Sequence, residues 1–175
     1  MTTLTTNYLT PTGREEAWRF TPLKRLGGMH DGSAIVADRH SLTLAGAKAT
    51  GVSFELKSSS DAPVLSESDD AIVGRIREAA RDVAVLTISA NTEVAEPIIL
   101  KRTPGDVQSA EFARVQIKVE NHARATIIVE NTGDTHLAED VEIYVGPGAN
   151  LTLVSLQEWG ASTVHAGRQH AIVDR

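Results

Sequence analysis

A chain of 175 residues, 41% of them hydrophobic, is long enough for one ordinary domain with a small appendage and too apolar to be disordered throughout. Its 17 Lys and Arg against 23 Asp and Glu give a net charge of −6, and the two signs are interleaved, which argues against nucleic acid or an anionic membrane held by bulk charge. Cysteine is absent, which excludes disulfides and thiolate metal ligands and fits a reducing cytoplasm.

The opening Met1-Thr-Thr-Leu-Thr-Thr-Asn7 has neither a basic n-region nor an apolar h-region, so no secretion signal is read there. No apolar run approaches the ~18 residues of a membrane span. A soluble cytoplasmic protein is expected. Residues 1–11 are polar, Thr-rich and expected to be mobile. Thr12-Gly-Arg-Glu15 matches a capping box and predicts a short helix through Glu16, Ala17 and Trp18, ending near Phe20-Thr21 because Pro22 disfavours helix in the residue before it. Gly27-Gly28 and Asp31-Gly32 punctuate the next stretch as turns, and Ala34–Val36, Leu42–Leu44 and Val52–Phe54 read as brief strands. Residues 57–63 read as a loop. Ser68 is the candidate cap of a helix to about Arg81, with Asp69 and Asp70 in its first turn and Ile72, Ile76, Ala79 and Ala80 on one face.

From Val83 the periodicity changes to two. Val115-Gln-Ile-Lys-Val-Glu-Asn-His-Ala-Arg-Ala-Thr aligns with Val141-Glu-Ile-Tyr-Val-Gly-Pro-Gly-Ala-Asn-Leu-Thr at an offset of 26 residues. A weaker copy, Leu86, Ile88, Ala90, Ile98 and Leu100, fits upstream at an offset of 29. Each unit reads as an alternating strand, a tight corner, a second strand and a polar connection. Aromatics are only 4%, so small branched side chains must fill a narrow, repetitive interior. These units fit a β-solenoid whose rungs bury their inward faces on one another; hairpins of a β-sandwich are the alternative.

Arg14-Glu-Glu-Ala-Trp-Arg-Phe-Thr-Pro-Leu-Lys-Arg-Leu26 resembles the amino-terminal signature of the SufB/SufD family, in its SufD form. Glu96-Pro-Ile98 looks like that family's entry to its core, and Val119–Thr126 and Val145–Thr152 look like its rung turns. The resemblance implies a mainly β fold, a right-handed parallel β-helix over residues 83–175 preceded by a small α+β region over residues 1–82. It also implies a scaffold in iron–sulfur cluster assembly and not an enzyme. Its expected partners are a SufB-like subunit in a heterodimer and a SufC-like ATPase docked on a carboxy-terminal helical region. Members of the family are much longer, so the chain reads as an amino-terminal fragment. The docking helices and cluster-ligand positions are expected beyond Arg175, and an open last rung is expected to self-associate. The cluster is then a product of the full complex, and no cofactor is expected on this stretch.

No catalytic, cofactor-binding or metal residue is assigned. His165 and His170, five apart, and His122 and His136 are weighed as metal ligands, but no clustered ligand motif supports them. His122 stands where the next unit has Gly148 and reads as a turn residue. Asp69-Asp70 sits at a helix start, and Glu139-Asp140 has its two carboxylates on opposite faces of a strand, so neither suits shared acid–base work. Gly27-Gly28 and Gly146-Pro-Gly148 lack the context of a phosphate loop. Trp18 and Phe20 read as packing residues of the amino-terminal lobe or as a partner contact. The polar outward strand faces and any unpaired strand edge are the expected docking surfaces. A polysaccharide lyase or hydrolase on a β-helix is the competing reading, but Gln116, Lys118 and Glu120 against Glu142, Tyr144 and Gly146 make no stacked carboxylate site. A general β-sheet interaction or adhesion module is a third.

Overall fold

The alternating stretches stack as rungs. In the computed structural model, which describes residues 8–46 and 49–175, the chain forms β1 (Leu42–Ala45), β2 (Val52–Ser58), helix α1 (Ala71–Ala79), β3 (Asp82–Ile88), β4 (Ile98–Arg102), β5 (Ala110–Val119), β6 (Arg124–Gly133), β7 (His136–Val145), β8 (Asn150–Trp159) and β9 (Val164–Val173). One wall orders its strands β2-β3-β5-β7-β9, the other β1-β4-β6-β8. Within the walls β3, β5, β7 and β9 pair in parallel, as do β4, β6 and β8. Parallel neighbours exclude a hairpin sandwich. The chain is a parallel β-solenoid of about three turns. At its start β2 runs antiparallel to β3 and β1 antiparallel to β4, which covers the first edges.

The 26-residue period holds through the middle of the stack, where Ala110 faces His136 and Arg124 faces Asn150. The upstream copy departs from the expected register. Leu86 faces Ile117, an offset of 31, while Ile98 faces Ile127, an offset of 29. The first rung therefore carries two extra residues, and they fall in the exposed Ala95-Glu96-Pro97 stretch just before β4. A slip of two keeps the parity of every side chain, so the apolar alternation survives it.

Inward-facing Leu86, Ile88, Val115, Ile117, Val119, Val141, Ile143 and Val145 of the first wall meet Leu42, Ile98, Leu100, Ala125 and Ile127 of the second. Burying each large side chain contributes about 1.5–3 kcal/mol. The corner between walls repeats as well. Asn91, His122 and Gly148 stack there, all with left-handed φ (59°, 57° and 68°). Gly and Asn take this conformation cheaply and His occasionally, so His122 is a turn residue, as its alignment with Gly148 suggests.

The outer face of the first wall is covered by the amino-terminal region. Ile72 and Ile76 of α1, Ala80 just after it and Met29 pack on Ala110, Phe112 and Ala138. Asp70, not Ser68, caps α1, accepting from the amides of Ile72 (2.8 Å) and Val73 (3.0 Å). The helix stops at Ala79, short of Arg81, because the chain turns extended at Ala80 to enter β3 beside Ser58. Gly74 in mid-helix is explained by Tyr8, whose ring occupies the space a Cβ would need. The expected mobility of residues 1–11 lies outside the described residues for 1–7, whereas residues 8–11 are tied down: the Tyr8 hydroxyl donates to the Ser68 carbonyl (3.4 Å), and Pro11 is buried.

Glu15 does reach back to the amide and hydroxyl of Thr12 (3.0 and 2.8 Å), but the helix after it is a single 3₁₀ turn, Glu16–Trp18. A second 3₁₀ turn, Leu23–Leu26, follows Pro22 and ends at Gly27 with φ of 56°. Ala34–Val36 forms one bridge, Val36 to Ala110, in place of a strand. Lys57 and Ser58, expected in a loop, continue β2.

Candidate functional site

Two seams of buried charge cross the rungs, one inside the solenoid and one beneath its amino-terminal cover. The inner seam is centred on Arg102, the last residue of β4, whose parity points it between the walls. Its Nη2 donates to Glu139 Oε2 at 2.5 Å, Nη1 to the Ser41 hydroxyl at 3.0 Å and Nε to Asn131 Oδ1 at 3.2 Å, and Nη1 lies 3.6 Å from Glu111 Oε1. Glu111 also accepts from the Ser41 amide (2.9 Å) and hydroxyl (3.0 Å) and from Arg39 Nε (3.3 Å). His165 Nε2 lies 2.9 Å from Glu139 Oε1, and the ring stacks at a tilt on Trp159 with centroids 5.3 Å apart. Burial pushes the Glu139 carboxyl up, but the Arg102 guanidinium and the hydrogen bond and charge of His165 outweigh it and hold Glu139 below the usual carboxylate range.

The outer seam joins β5, β7 and β9 to residues 62–67, a strap that runs across the strands. Arg114 and Gln116 of β5 donate to the carbonyls of Ala62 (3.0 Å) and Pro63 (2.7 Å). Glu142 Oε1 of β7 accepts from the amides of Leu65 (2.8 Å) and Ser66 (3.0 Å), and Oε2 from Gln116 Nε2 (3.1 Å). Arg168 of β9 donates to the Ser66 hydroxyl (2.8 Å) and to Asp140 Oδ1 (2.8 Å), while Arg77 of α1 grips Asp140 Oδ2 through Nε and Nη2 (3.1 and 3.0 Å). β5, β7 and β9 thus each share at least one hydrogen bond with the strap. On the first wall the polar outward positions Arg114, Gln116, Asp140 and Glu142 are buried under the chain's own strap and helix, whereas the outer face of the second wall, with Lys101, Val154 and Leu156, is exposed.

The structure separates the residue pairs that the sequence offered. His165 points inward, whereas His170 faces Glu142 in the β7–β9 register and is exposed on the outer side, so the two cannot share an ion. His122 sits in a corner and His136 at the start of β7 beside Gly27. Among the described residues no group of three or more His, Asp or Glu has metal-holding geometry. Glu139 and Asp140 face opposite ways, each onto an arginine. Trp18 packs against the cluster around Met29, and Phe20 is exposed. The seam residues Arg102, Glu111, Arg114 and Asn131 were not singled out from sequence. The signal of Arg102, Glu111 and Asn131 is a charged or amide group at an apolar parity, as with Glu111 two positions before Ala113 and Arg102 two after Leu100, whereas Arg114 shares the polar parity of Gln116 and Lys118 and carries no such signal.

His40, at the start of the inner seam, gives a pH dependence. Burial lowers its imidazole below the ordinary value, and Arg102 adds to this, while Glu111 and the Arg114 carbonyl oppose it. The unfolded chain then takes up a proton that the folded chain refuses. Stability is therefore expected to fall as pH drops below about 6.5, the unfolded imidazole value. Urea midpoints of the protein and of His40→Asn across pH 5–7.5 check this. The variant should show the shallower dependence, and equal slopes would refute it.

Residues 102–175 match the family described as SUF system FeS cluster assembly, SufBD core domain. The chain is similar over 94% of its length to the iron–sulfur cluster assembly SufBD family proteins of Mycobacterium tuberculosis (strain H37Rv) and Mycobacterium bovis, each 30% identical over 168 residues, and to that of Mycobacterium leprae, 29% identical over 167. It spans 42% of the length of these relatives. No solved structure matches it significantly. Among the described residues no helix is long and apolar enough to cross a membrane. From Arg102 onward the parallel rungs thus coincide with the stretch that matches the SufBD core domain, and nearly the whole chain is similar to the amino-acid sequences of mycobacterial SufBD family proteins.

Proposed function

We propose that this chain serves iron–sulfur cluster assembly as a scaffold of the SufD branch, working in the cytoplasm, pairing with a SufB-like subunit and coupling to a SufC-like ATPase. The observation that carries the reading is the unbroken parallel register of β5–β9, which lies within the residues matched to the SufBD core. The SufD branch rests on the Arg14–Leu26 box. The mechanism is geometric. The seams tie α1, the strap and successive rungs into one body, so that a displacement applied at one end reaches the other. The chain offers no thiolate, so cysteine ligands for the cluster come from elsewhere in the assembly. Each of the four buried carboxylates Glu111, Glu139, Asp140 and Glu142 lies within 4 Å of an arginine, which suits rung locking and leaves none of them free as a glycosidase acid or base.

Coexpression with SufB and SufC homologues tests the reading. The tagged product of the gene that encodes this chain is expected to retain both partners through affinity and size-exclusion steps. Elution without either partner overturns it.

A further inference from the structure

The Trp-containing box is not used by the rungs, and its charge departs from the rest of the chain. Residues 17–30 carry Arg19, Lys24 and Arg25 and no carboxylate, although the whole chain is at −6. Acids flank the stretch at Glu15, Glu16 and Asp31, and Arg19 lies 3.8 Å from Glu16, which leaves Lys24 and Arg25 as its exposed cations outside that pair. The structure turns these residues into a surface. Trp18, Leu26 and Met29 anchor the lobe on α1 and on Val164 and Ala166 of β9. Phe20 faces solvent, 87% exposed, with the Arg19 guanidinium 5.2 Å from its ring centre. It is not a frayed end. The Thr21 amide donates to the Trp18 carbonyl (3.0 Å) and the Arg25 amide to the Pro22 carbonyl (2.8 Å), so Phe20 is held between two closed turns. A rigid exposed aromatic flanked by cations has little ordering entropy left to lose on contact, which is the character of an interface anchor.

On the same lobe lies its counterpart. A cavity of about 330 Å³ is lined by Leu9, Pro11, Trp18 and Ala71, with the carboxylates of Glu15 and Asp69 among its walls. Leu9 is 86% exposed at this site. An apolar cleft bearing acids thus stands beside an aromatic flanked by bases. A knob and a cleft adjacent on one surface are the requirement for a two-fold contact, in which each copy gives and receives the same group.

We propose that this lobe is a self-association surface whose occupant is a second copy of the chain. Phe20 of each copy enters the cleft beside Trp18 of the other, and Lys24 and Arg25 face the other copy's Asp69 and Glu15. The contact is separate from the solenoid edges and independent of the function proposed above.

Sedimentation equilibrium on the purified chain tests it through variants. A dimer is expected, with Phe20→Ala weakening it at least about tenfold, the order expected for one buried phenyl group. Phe20 is exposed and makes no core contact, so this variant keeps the fold. Lys24→Glu with Arg25→Glu is expected to weaken the dimer, and adding Asp69→Lys to restore it in part. A monomer at all concentrations overturns the proposal and leaves the lobe to a partner of different sequence. Association that Phe20→Ala leaves unchanged also overturns it, since the contact then lies elsewhere, as does a charge reversal that Asp69→Lys fails to rescue.

Discussion

Replacing Arg102 by leucine is expected to destabilise the fold by about 3–5 kcal/mol, the cost of leaving buried charge uncompensated. Leucine fills part of the volume, so the loss is mainly electrostatic. Glu139 keeps only His165, and Glu111 keeps Arg39 and Ser41, while Asn131 Oδ1 loses its donor between the walls. The effect should be global, because the inner seam links β4, β5, β7 and β9, and urea denaturation of the variant measures it. A second substitution set separates charge from packing. Arg102→Met combined with Glu111→Gln and Glu139→Gln removes the charges together and should recover most of the lost stability. Loss below about 1 kcal/mol in the single variant would mean that water or rearrangement reaches the seam.

The stack was legible because parity and period are written locally. Val115, Ile117 and Val119 recur as Val141, Ile143 and Val145 at 26 residues, and the structure places each pair side by side. The 29-residue offset assigned upstream was legible only in part. It is correct for Ile98 and Leu100, yet the two extra residues before Ile98 set Leu86 and Ile88 against Ile117 and Val119, two places on from the alignment. Apolar residues of like parity look alike from sequence, so parity survives where register does not. The seams were hidden for a different reason. A strand pattern says which side a residue faces but not what lies over it, so Gln116 and Glu142 looked solvated. The strap that buries them comes from residues 62–67, about 50 to 80 positions away. Arg102 was hidden because it follows Lys101 at the end of β4, at the edge of a polar connection, where a charge is ordinarily unremarked.

Glu142→Ala is expected to release the strap with a loss of about 3 kcal/mol or more, concentrated in one part of the molecule. The carboxylate is the acceptor for the amides of Leu65 and Ser66 and for Gln116 Nε2, and it lies 3.5 Å from Arg77 and 3.7 Å from Arg114. Alanine leaves both amides without their acceptor and Arg114 without its carboxylate, although Asp140 still holds Arg77 and Arg168. The strap should therefore loosen before the rungs do. Hydrogen exchange distinguishes this from global destabilisation: amides of Leu65 and Ser66 should exchange far faster, while those of β6 should keep a protection set by the remaining global stability. Glu142→Gln, which keeps one carbonyl oxygen, should show a smaller loss in the same place. Uniform acceleration across strap and rungs would mean that the cover and the solenoid unfold as one unit. The strap would then have no separate opening, and Glu142 would act on the whole fold in the way Arg102 does.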